Sequence, residues 1–305
     1  MDQEEIEKTK KAGEIHKKVV AYAKEIVKKG EKLIDIANKI DDKIVELGAK
    51  PAFPMNLSIN EVAAHSTPAF NDETVASGLL KVDIGVHVDG YVADGAFSVD
   101  FEDSEENKKL IEAAEAGLKA ALETFGVGVS LGEVGKNVQE AMKLSAVSDG
   151  AEIDIVPIEN LSGHQIKQYD LHAGLNVPSY DSGEETKLEE GVYAIEPFAT
   201  NGKGRVKNGG PSGIYKLVEE GNVRDHFARE VLDFIVESYQ TLPFCSRWIV
   251  KKFGSRGMLA LRQIENAGVL HHYPQLVEAA GGKVAQAEHT VILTSDGEKI
   301  VSTRD

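Results

Sequence analysis

One stretch decides the fold of this chain: residues 80–101, LKVDIGVHVDGYVADGAFSVDF. From Val82 to Val88, apolar side chains alternate with polar or small ones, and residues two apart share one face of a strand. The dipeptide Asp89-Gly90 in the middle is a strong signal for a tight hairpin turn. The stretch therefore predicts two antiparallel strands, with one apolar face and one face that carries carboxylates.

Asp83 and Asp94 share the carboxylate face of this hairpin whichever turn joins the strands. A two-residue turn at Asp89-Gly90 places Asp94 opposite Gly85. A turn two residues longer places Asp94 opposite Asp83. Two carboxylates this close repel each other unless a proton or a cation lies between them. The hairpin therefore predicts a metal site.

The composition is that of a soluble globular protein, with 42% hydrophobic and 28% charged residues among 305. No apolar run approaches the ~18 residues of a membrane-spanning helix, and the charged start MDQEEIEKTKK lacks the apolar core of a signal peptide. A net charge of −16 argues against broad nucleic-acid binding, which depends on neutralising phosphates. The single cysteine, Cys245, excludes an internal disulfide and fits a reducing cytosol. We therefore expect a cytoplasmic protein, with Cys245 as a structural residue rather than a reactive thiol.

The order of helical and strand patterns indicates the fold class. Apolar residues at helical spacing predict helices at residues 3–29, 33–47 and 110–125, and a further helix from Ser130, where S-L-G-E has the spacing of a capping box. Strand patterns lie at residues 151–157, 191–200 and 283–294, strand or loop patterns at 51–58 and 161–174, and a glycine-rich loop at 201–213. Three helical patterns follow one another between residues 226 and 270 and indicate a compact helical insert. This order predicts an α+β fold in which helices cover one face of an antiparallel sheet.

Three more residues suited to a metal site lie on strand-like segments: His164, Glu196 and Glu288. Each has an ordinary interpretation when taken alone, but Glu196 interrupts an apolar strand, where an unpaired buried carboxylate is costly. With the two hairpin aspartates they form a set of four carboxylates and one imidazole. Such a set suits two divalent ions such as Mn, Fe, Co or Zn. A site of this kind lowers the pKa of a bridging water and stabilises a developing oxyanion.

Taken together, the ordered set resembles the metal ligands of the methionine aminopeptidases, a family of pita-bread metallopeptidases. It comprises Asp83, Asp94 eleven residues later, His164 in SGH, Glu196 in AIEPFA and Glu288 in QAEHT. The resemblance covers essentially the whole chain and is strongest to the type II subclass in its short archaeal form. The stretches KPAFPMNLSINEVAAHSTP, SGH followed by LHAG, and TLPFCSRW are its type II features.

The resemblance implies a particular domain organisation. Residues 1–211 and 274–305 would form the pita-bread catalytic domain, with two halves related by a pseudo-twofold axis. Residues 212–273 would form a winged-helix-like helical insert that shapes the substrate cleft and marks the type II subclass.

The resemblance also assigns a role to each ligand. Asp83 would bind one ion through both oxygens, and Asp94 and Glu288 would bridge the two ions. His164 and Glu196 would complete the second ion, and Glu196 would also act as the proton shuttle.

Five further residues match family positions that contact the substrate. His65 would lie near the scissile amide, and His172 would hydrogen-bond the peptide carbonyl. The methionine thioether would enter an apolar pocket formed by Phe53, Leu171 and Tyr273, of which Phe53 has an equally good interpretation as a core residue. Near the start of the insert, where some eukaryotic relatives carry a histidine in this pocket, the present chain has Gly213 or Ile214.

The implied function is removal of the initiator methionine from peptides and nascent chains whose second residue is small. The implied partners are the peptide N-terminus and, transiently, the ribosome; we expect a monomer without membrane association. A proline-directed peptidase of the same fold usually carries an extra N-terminal domain, and here the hairpin begins early, at Leu80. A non-catalytic relative that binds peptide, RNA or ribosome typically loses metal ligands, and all five are present here.

Two other stretches invite different interpretations. Residues 201–210, NGKGRVKNGG, are rich in glycine and lysine but lack the spacing of a phosphate-binding loop. A nucleic-acid-binding module is the less favoured interpretation of the helical insert. It rests on five basic residues: Arg247, Lys251, Lys252, Arg256 and Arg262.

Overall fold

The computed structural model describes residues 1–143, 145–148, 151–219 and 221–304. The described helices are α1 (Gln3–Ile26), α2 (Leu33–Glu46), α3 (Glu105–Thr124), α4 (Leu131–Met142), α5 (His226–Tyr239), α6 (Ser246–Phe253) and α7 (Arg256–Asn266). The first nine described strands are β1 (Lys50–Pro51), β2 (Asn56–Ile59), β3 (Val62–Ala64), β4 (Leu79–Val88), β5 (Tyr91–Asp100), β6 (Ser145–Ser148), β7 (Ala151–Asp154), β8 (Val156–Pro157) and β9 (Ser162–Ile166). The remaining ones are β10 (Asn176–Pro178), β11 (Gly191–Ile195), β12 (Phe198–Thr200), β13 (Val206–Leu217), β14 (Phe244–Cys245), β15 (Leu270–Glu278), β16 (Val284–Gln286), β17 (His289–Leu293) and β18 (Lys299–Val301).

These strands pair antiparallel in several sheets, and the helices pack on them, as the α+β prediction requires. The sheet orders are β1-β4-β2 with β5 on β4, then β10-β9-β11-β17-β18, β16-β12-β8, β14-β13-β15-β3, and β6-β7. None of the described helices is long and apolar enough to cross a membrane.

The central hairpin, β4 and β5, has the shorter of the two turns. Gly85 pairs with Asp94 and Asp83 pairs with Ala96, which is the register of a two-residue turn. Asp89 and Gly90 both have positive φ, 53° and 86°. Such turns match the right-handed twist of the strands that they join. Asp83 and Asp94 are therefore diagonal neighbours on one face.

The other face of the hairpin is buried under the first two helices. Val82, Ile84 and Val86 are almost fully buried there, in a core shared with α1 and α2. His16 of α1 lies in this interface, where its Nε2 is 3.0 Å from the carbonyl oxygen of Ile84. This packing leaves the carboxylate face free to line a cavity.

The helix boundaries follow their capping residues. The Ser130 side chain accepts a hydrogen bond from the N–H of Glu133 at 3.2 Å, which confirms the predicted start of α4. Helix α3 begins earlier than the apolar pattern, because Ser104 caps it by accepting from the N–H of Asn107. Helix α1 ends at Ile26, four residues before Gly30.

Two of the predicted strands are each interrupted at an acidic residue. Residues 191–200 form β11 and β12, and Glu196 lies in the gap between them. Residues 283–294 form β16 and β17, with Glu288 in the gap. At these gaps the chain leaves one sheet for another, so both carboxylates lie where sheets meet.

The three predicted helices α5–α7 lie between strands β13 and β15, which pair with each other. The prediction of a loop at residues 201–213 is wrong from Val206 onward, since β13 begins there. Its pairing with β15 is irregular between Asn208 and Pro211, so the glycines and the proline occupy bulges. The second half of the glycine-rich stretch forms part of β13, and no helix follows it directly, which argues against a phosphate-binding loop. The domain boundaries at residues 212 and 273 fall inside these two strands.

Cys245 is fully buried in the core beneath the three helices. Burial raises the pKa of its thiol to about 12, so the thiol stays protonated and unreactive near neutral pH. The interpretation of Cys245 as a structural residue is confirmed.

Candidate metal centre and substrate cavity

A cavity of about 290 Å³ lies between the hairpin, the second sheet and the helical segment. All ten side chains singled out in the sequence line it: Asp83, Asp94, His164, Glu196, Glu288, His65, His172, Phe53, Leu171 and Tyr273. The structure therefore brings together residues that are spread over more than two hundred positions of the sequence.

Neighbouring strands place the five candidate ligands side by side. The hairpin contributes Asp83 and Asp94, and His164 lies on β9, where it pairs with Ala194 of β11. Strand β11 also pairs with β17, with Ile195 opposite His289, so Glu196 and Glu288 extend from adjacent strand ends. Three antiparallel strands thus present one imidazole and two carboxylates to the hairpin.

Hydrogen bonds lock the hairpin to β17. The hydroxyl of Thr290 accepts from the N–H of Asp94 at 2.7 Å and donates to the carbonyl oxygen of Asp94 at 2.8 Å. The N–H of Glu288 donates to the carbonyl oxygen of Ala96 at 3.0 Å. These contacts hold the carboxylates of Asp94 and Glu288 next to each other.

The ligand atoms lie close enough to share a cation. One atom each from Asp94, His164 and Glu288 lies within 4.8 Å of the others. The Nε2 of His164 is 3.8 Å from Asp94 Oδ2 and 3.6 Å from Glu196 Oε1. Asp94 Oδ1, Asp83 Oδ1 and Glu288 Oε2 are buried without a hydrogen-bond partner in the described part of the chain. Buried acceptors of this kind fit divalent cations, which take oxygen and imidazole ligands.

Burial dominates the electrostatics of the cluster. It raises the pKa of Asp83 to about 7, and a hydrogen bond from Gln286 opposes the rise. Burial, reinforced by the neighbouring carboxylates, raises the pKa values of Asp94, Glu196 and Glu288 well above their usual range. Without a cation, the cluster therefore retains protons near neutral pH. Burial also lowers the pKa of His164 to about 3, so its ring is neutral and able to ligate a metal.

Gln286 is a site residue whose role the sequence reasoning missed. Its Nε2 donates to Glu196 Oε2 at 3.2 Å, and its side chain is almost fully buried. Together with its hydrogen bond to Asp83, this contact fixes two candidate ligands. Its position on the same strand face as Glu288, in a strand of apolar residues, is a signal that could have identified it.

The two candidate substrate histidines lie at different depths. His65 packs edge-to-face against Tyr273, with ring centroids 5.1 Å apart, and burial lowers its pKa to about 4. His172 is exposed at the cavity and packs against the His164 ring at 4.4 Å. The surrounding protein, with the nearby charge of Lys216, also lowers the pKa of His172. Neither ring carries a charge at neutral pH, so each offers one N–H donor.

An apolar wall completes the cavity. Phe53 and Leu171 are both buried in one core cluster and also line the cavity, so Phe53 is a core residue at the cavity wall. Phe53 covers Gly85, where an added Cβ would lie 2.2 Å from Phe53 Cε1. Ile214 lines the cavity on the side of the insert.

Histidines left outside the candidate set have other contacts. His87 Nδ1 accepts from the N–H of Gly90 inside the hairpin turn. The Nδ1 of His289 lies 2.9 Å from the Thr303 hydroxyl. These contacts give both histidines a structural role.

Comparison with known proteins agrees with this arrangement. The model of metallopeptidase family M24 matches residues 7–295. A methionine aminopeptidase from Thermococcus kodakarensis is 45% identical over 96% of this chain and 97% of its own length. Among solved structures, a thermophilic Arx1 superposes with a TM-score of 0.80 at 15% identity, over 99% of this chain and 91% of that one. A methionine aminopeptidase from Thermotoga maritima superposes with a TM-score of 0.69 at 21% identity, over 100% and 98%. The chain has the pita-bread fold, and it belongs to metallopeptidase family M24, among the methionine aminopeptidases.

Proposed function

We propose that this protein is a methionyl aminopeptidase, a metallo-exopeptidase that hydrolyses the peptide bond after an N-terminal methionine when the second residue is small. The observation that carries the proposal is the cavity in which five candidate metal ligands, two neutral histidines and an apolar wall meet. The name of the relative that matches over nearly its whole length supports the same reaction.

The proposed metal centre holds two divalent ions. Asp83 would hold one ion, Asp94 and Glu288 would be shared between both, and His164 with Glu196 would complete the second. Bound divalent ions supply Lewis acidity and lower the pKa of a water molecule. The donor set suits Co, Mn, Fe or Zn, and four carboxylates are enough to balance the charge of two such ions.

The chain's own residues orient the substrate and move the protons. Glu196, held by the amide of Gln286, would accept the proton of the attacking water and deliver it to the departing nitrogen. His172 would donate a hydrogen bond to the peptide carbonyl oxygen, where negative charge develops. His65 would lie beside the scissile amide. Because both rings are neutral, they can donate without adding charge to the cluster.

The apolar wall would receive the methionine side chain. Phe53, Leu171 and Tyr273 would contact the thioether, and the free α-amine would reach the carboxylates. The physiological partner would be the N-terminus of a peptide or nascent chain in the cytoplasm, with transient ribosome contact. The working unit would be a monomer.

The test compares peptides on metal-free and reloaded protein. Metal is removed with a chelator, Co or Mn is restored, and release of the first residue is measured from Met-Ala-Ser, Met-Lys-Ser and an X-Pro peptide. We expect metal-dependent release of methionine from Met-Ala-Ser alone. Absence of release by correctly folded, reloaded protein would favour a non-catalytic peptide- or RNA-binding protein, and preference for the X-Pro peptide would favour a proline-directed peptidase.

A further inference from the structure

Arg247, within the TLPFCSRW stretch of the insert, is a buried charge that the catalytic scheme does not use. Its side chain is only 3% exposed and lies in the first turn of α6. Its Nη1 donates to Asp41 Oδ2 at 2.7 Å and to Asn38 Oδ1 at 2.9 Å, both on α2. The indole N–H of Trp248 donates to the same Asp41 oxygen at 2.7 Å. This network joins the helical insert to helix α2.

The same guanidinium also reaches the segment that carries His65. The Nε of Arg247 donates to the carbonyl oxygen of Pro68 at 3.3 Å, three residues after His65. His65 has a φ of 56°, in the left-handed region that residues other than glycine seldom adopt, although histidine adopts it more often than most. Hydrogen bonds from neighbouring elements can hold the segment in this conformation.

The other hydrogen bonds to this segment come from strands β2 and β15. The N–H of Leu57 donates to the carbonyl oxygen of Ser66 at 2.7 Å. The N–H of Ser66 donates to Asn56 Oδ1 at 3.1 Å, and Gln275 donates to the Ser66 hydroxyl at 3.3 Å. Arg247 contacts the end of the segment beyond Ser66, at the carbonyl oxygen of Pro68. A planar guanidinium can contact Asp41, Asn38 and the Pro68 carbonyl at once, which a lysine ammonium on a flexible stem does not reproduce.

Packing alone does not explain a buried charge here. A buried ion pair is weak evidence for stability, because apolar residues of similar volume are often as stabilising. The hydrogen bonds suggest a second role for the charge. Through this one side chain they connect α6 to α2 and to the His65 segment. We propose that Arg247 is a positioning residue for the peptidase reaction, which holds the His65 segment in place through the Pro68 carbonyl.

Two substitutions separate positioning from stability. Arg247→Met removes both the ion pair and the hydrogen bond to Pro68. Arg247→Lys keeps a positive charge beside Asp41 but lacks the planar guanidinium that also reaches the Pro68 carbonyl. We expect kcat/KM for Met-Ala-Ser to fall by about tenfold to a hundredfold in both variants, as for a misplaced catalytic group. The melting temperature should fall clearly only in Arg247→Met. Activity that simply follows stability, and is near normal in Arg247→Lys, would overturn the proposal.

The matched control is Lys251→Met. Lys251 lies on the same helix and pairs with Asp42 of α2 at 3.2 Å, but both side chains are exposed, at 65% and 69%. It makes no contact with the His65 segment in the described structure. We expect unchanged kcat and KM in this variant.

A double-mutant cycle shows whether Arg247 acts through His65. In a His65→Ala background, Arg247→Lys should cause little further loss, because the group that it positions is gone. The imidazole NMR resonances of His65 should also shift in Arg247→Lys and stay unchanged in Lys251→Met. An equal loss in both backgrounds, with unmoved His65 resonances, would contradict the proposal.

This inference rests on the proposed function, and the two can fail separately. A wild-type protein without metal-dependent methionine release contradicts the proposed function. An active wild type, together with full activity of both Arg247 variants, contradicts only the role of Arg247.

Discussion

The two roles that we propose for Glu196, metal ligand and proton acceptor, make opposite demands on a carboxylate. As a metal ligand it must be ionised, yet burial and the charge of Asp83 raise its pKa well above the usual range. The hydrogen bond from Gln286 favours the ionised form, and cations favour it further. A raised pKa also makes the carboxylate a stronger proton acceptor. The same environment therefore suits both ligation and proton transfer.

We predict that Glu196→Gln abolishes turnover without unfolding the protein. The amide has nearly the same shape but accepts no proton, so kcat should fall by about 10²- to 10⁴-fold. The metal-free variant should be at least as stable as wild type, since one buried, mutually repelling carboxylate is removed. Steady-state kinetics and thermal melts measure both effects. Glu185→Gln, at an exposed carboxylate, is the control, and near-normal kcat in Glu196→Gln would show that the assigned role is wrong.

At the scale of elements, the hairpin places two candidate metal ligands and one wall of the cavity. Its two-residue turn aligns Asp94 with Gly85, and the absence of a side chain at Gly85 leaves room for the Phe53 ring. A short strand pair thus places carboxylates beside an apolar surface. This proximity is what a site for a charged α-amine and an apolar side chain needs.

We predict that Gly85→Ala disturbs the pocket before it disturbs the fold. The added Cβ would lie 2.2 Å from Phe53, so the ring must move. The free energy of unfolding should fall by about 1–3 kcal/mol, and KM should rise because the wall for the methionine side chain shifts. The double variant Gly85→Ala/Phe53→Leu should recover part of the lost stability.

Gly126→Ala provides the matched control for this substitution, because its Cβ would meet no atom closer than 3.9 Å. Chemical denaturation measures the free energy of unfolding of the three variants, and steady-state kinetics measure their KM. Unchanged stability and unchanged KM in Gly85→Ala would refute the close packing of Phe53 on the hairpin.

At the scale of the whole molecule, the metal centre links stability to pH. The carboxylates have pKa values in the folded, metal-free state above their ordinary values, and Asp83 shifts from 3.8 to about 7. Their contribution to stability is therefore present at low pH and is lost as pH rises through the folded pKa. Buried histidines act in the opposite sense, since the pKa of His65 falls from 6.5 to about 4. Their effect ends above pH 6.5. The buried Lys81 also opposes the carboxylates there, because burial lowers its pKa well below the usual value, but it is one group against four carboxylates.

We therefore predict that the metal-free protein loses stability as the pH rises above 6.5. Each proton that the folded state retains and the unfolded state has already released lowers the free energy of unfolding by about 1.4 kcal/mol per pH unit. Urea denaturation across this range should show the decline without metal, and Mn should stabilise the protein more strongly as pH rises. The slope should be smaller in Asp94→Asn. A metal-free protein whose stability rises over this range would contradict the buried cluster.

The sequence by itself determined the local features of this protein: the hairpin, the shared face of Asp83 and Asp94, the capped helices and the residue types suited to metal. These follow from periodicity and turn chemistry, which depend on neighbours in the chain. Tertiary structure alone decided which turn length occurs, that residues from Val206 onward form a strand on β15, and that Gln286 holds Glu196. It also decided the contact of Arg247 with Pro68, 179 residues away. The physical reason is that strand partners, burial and hydrogen bonds between distant segments arise only when the sheets and helices pack together.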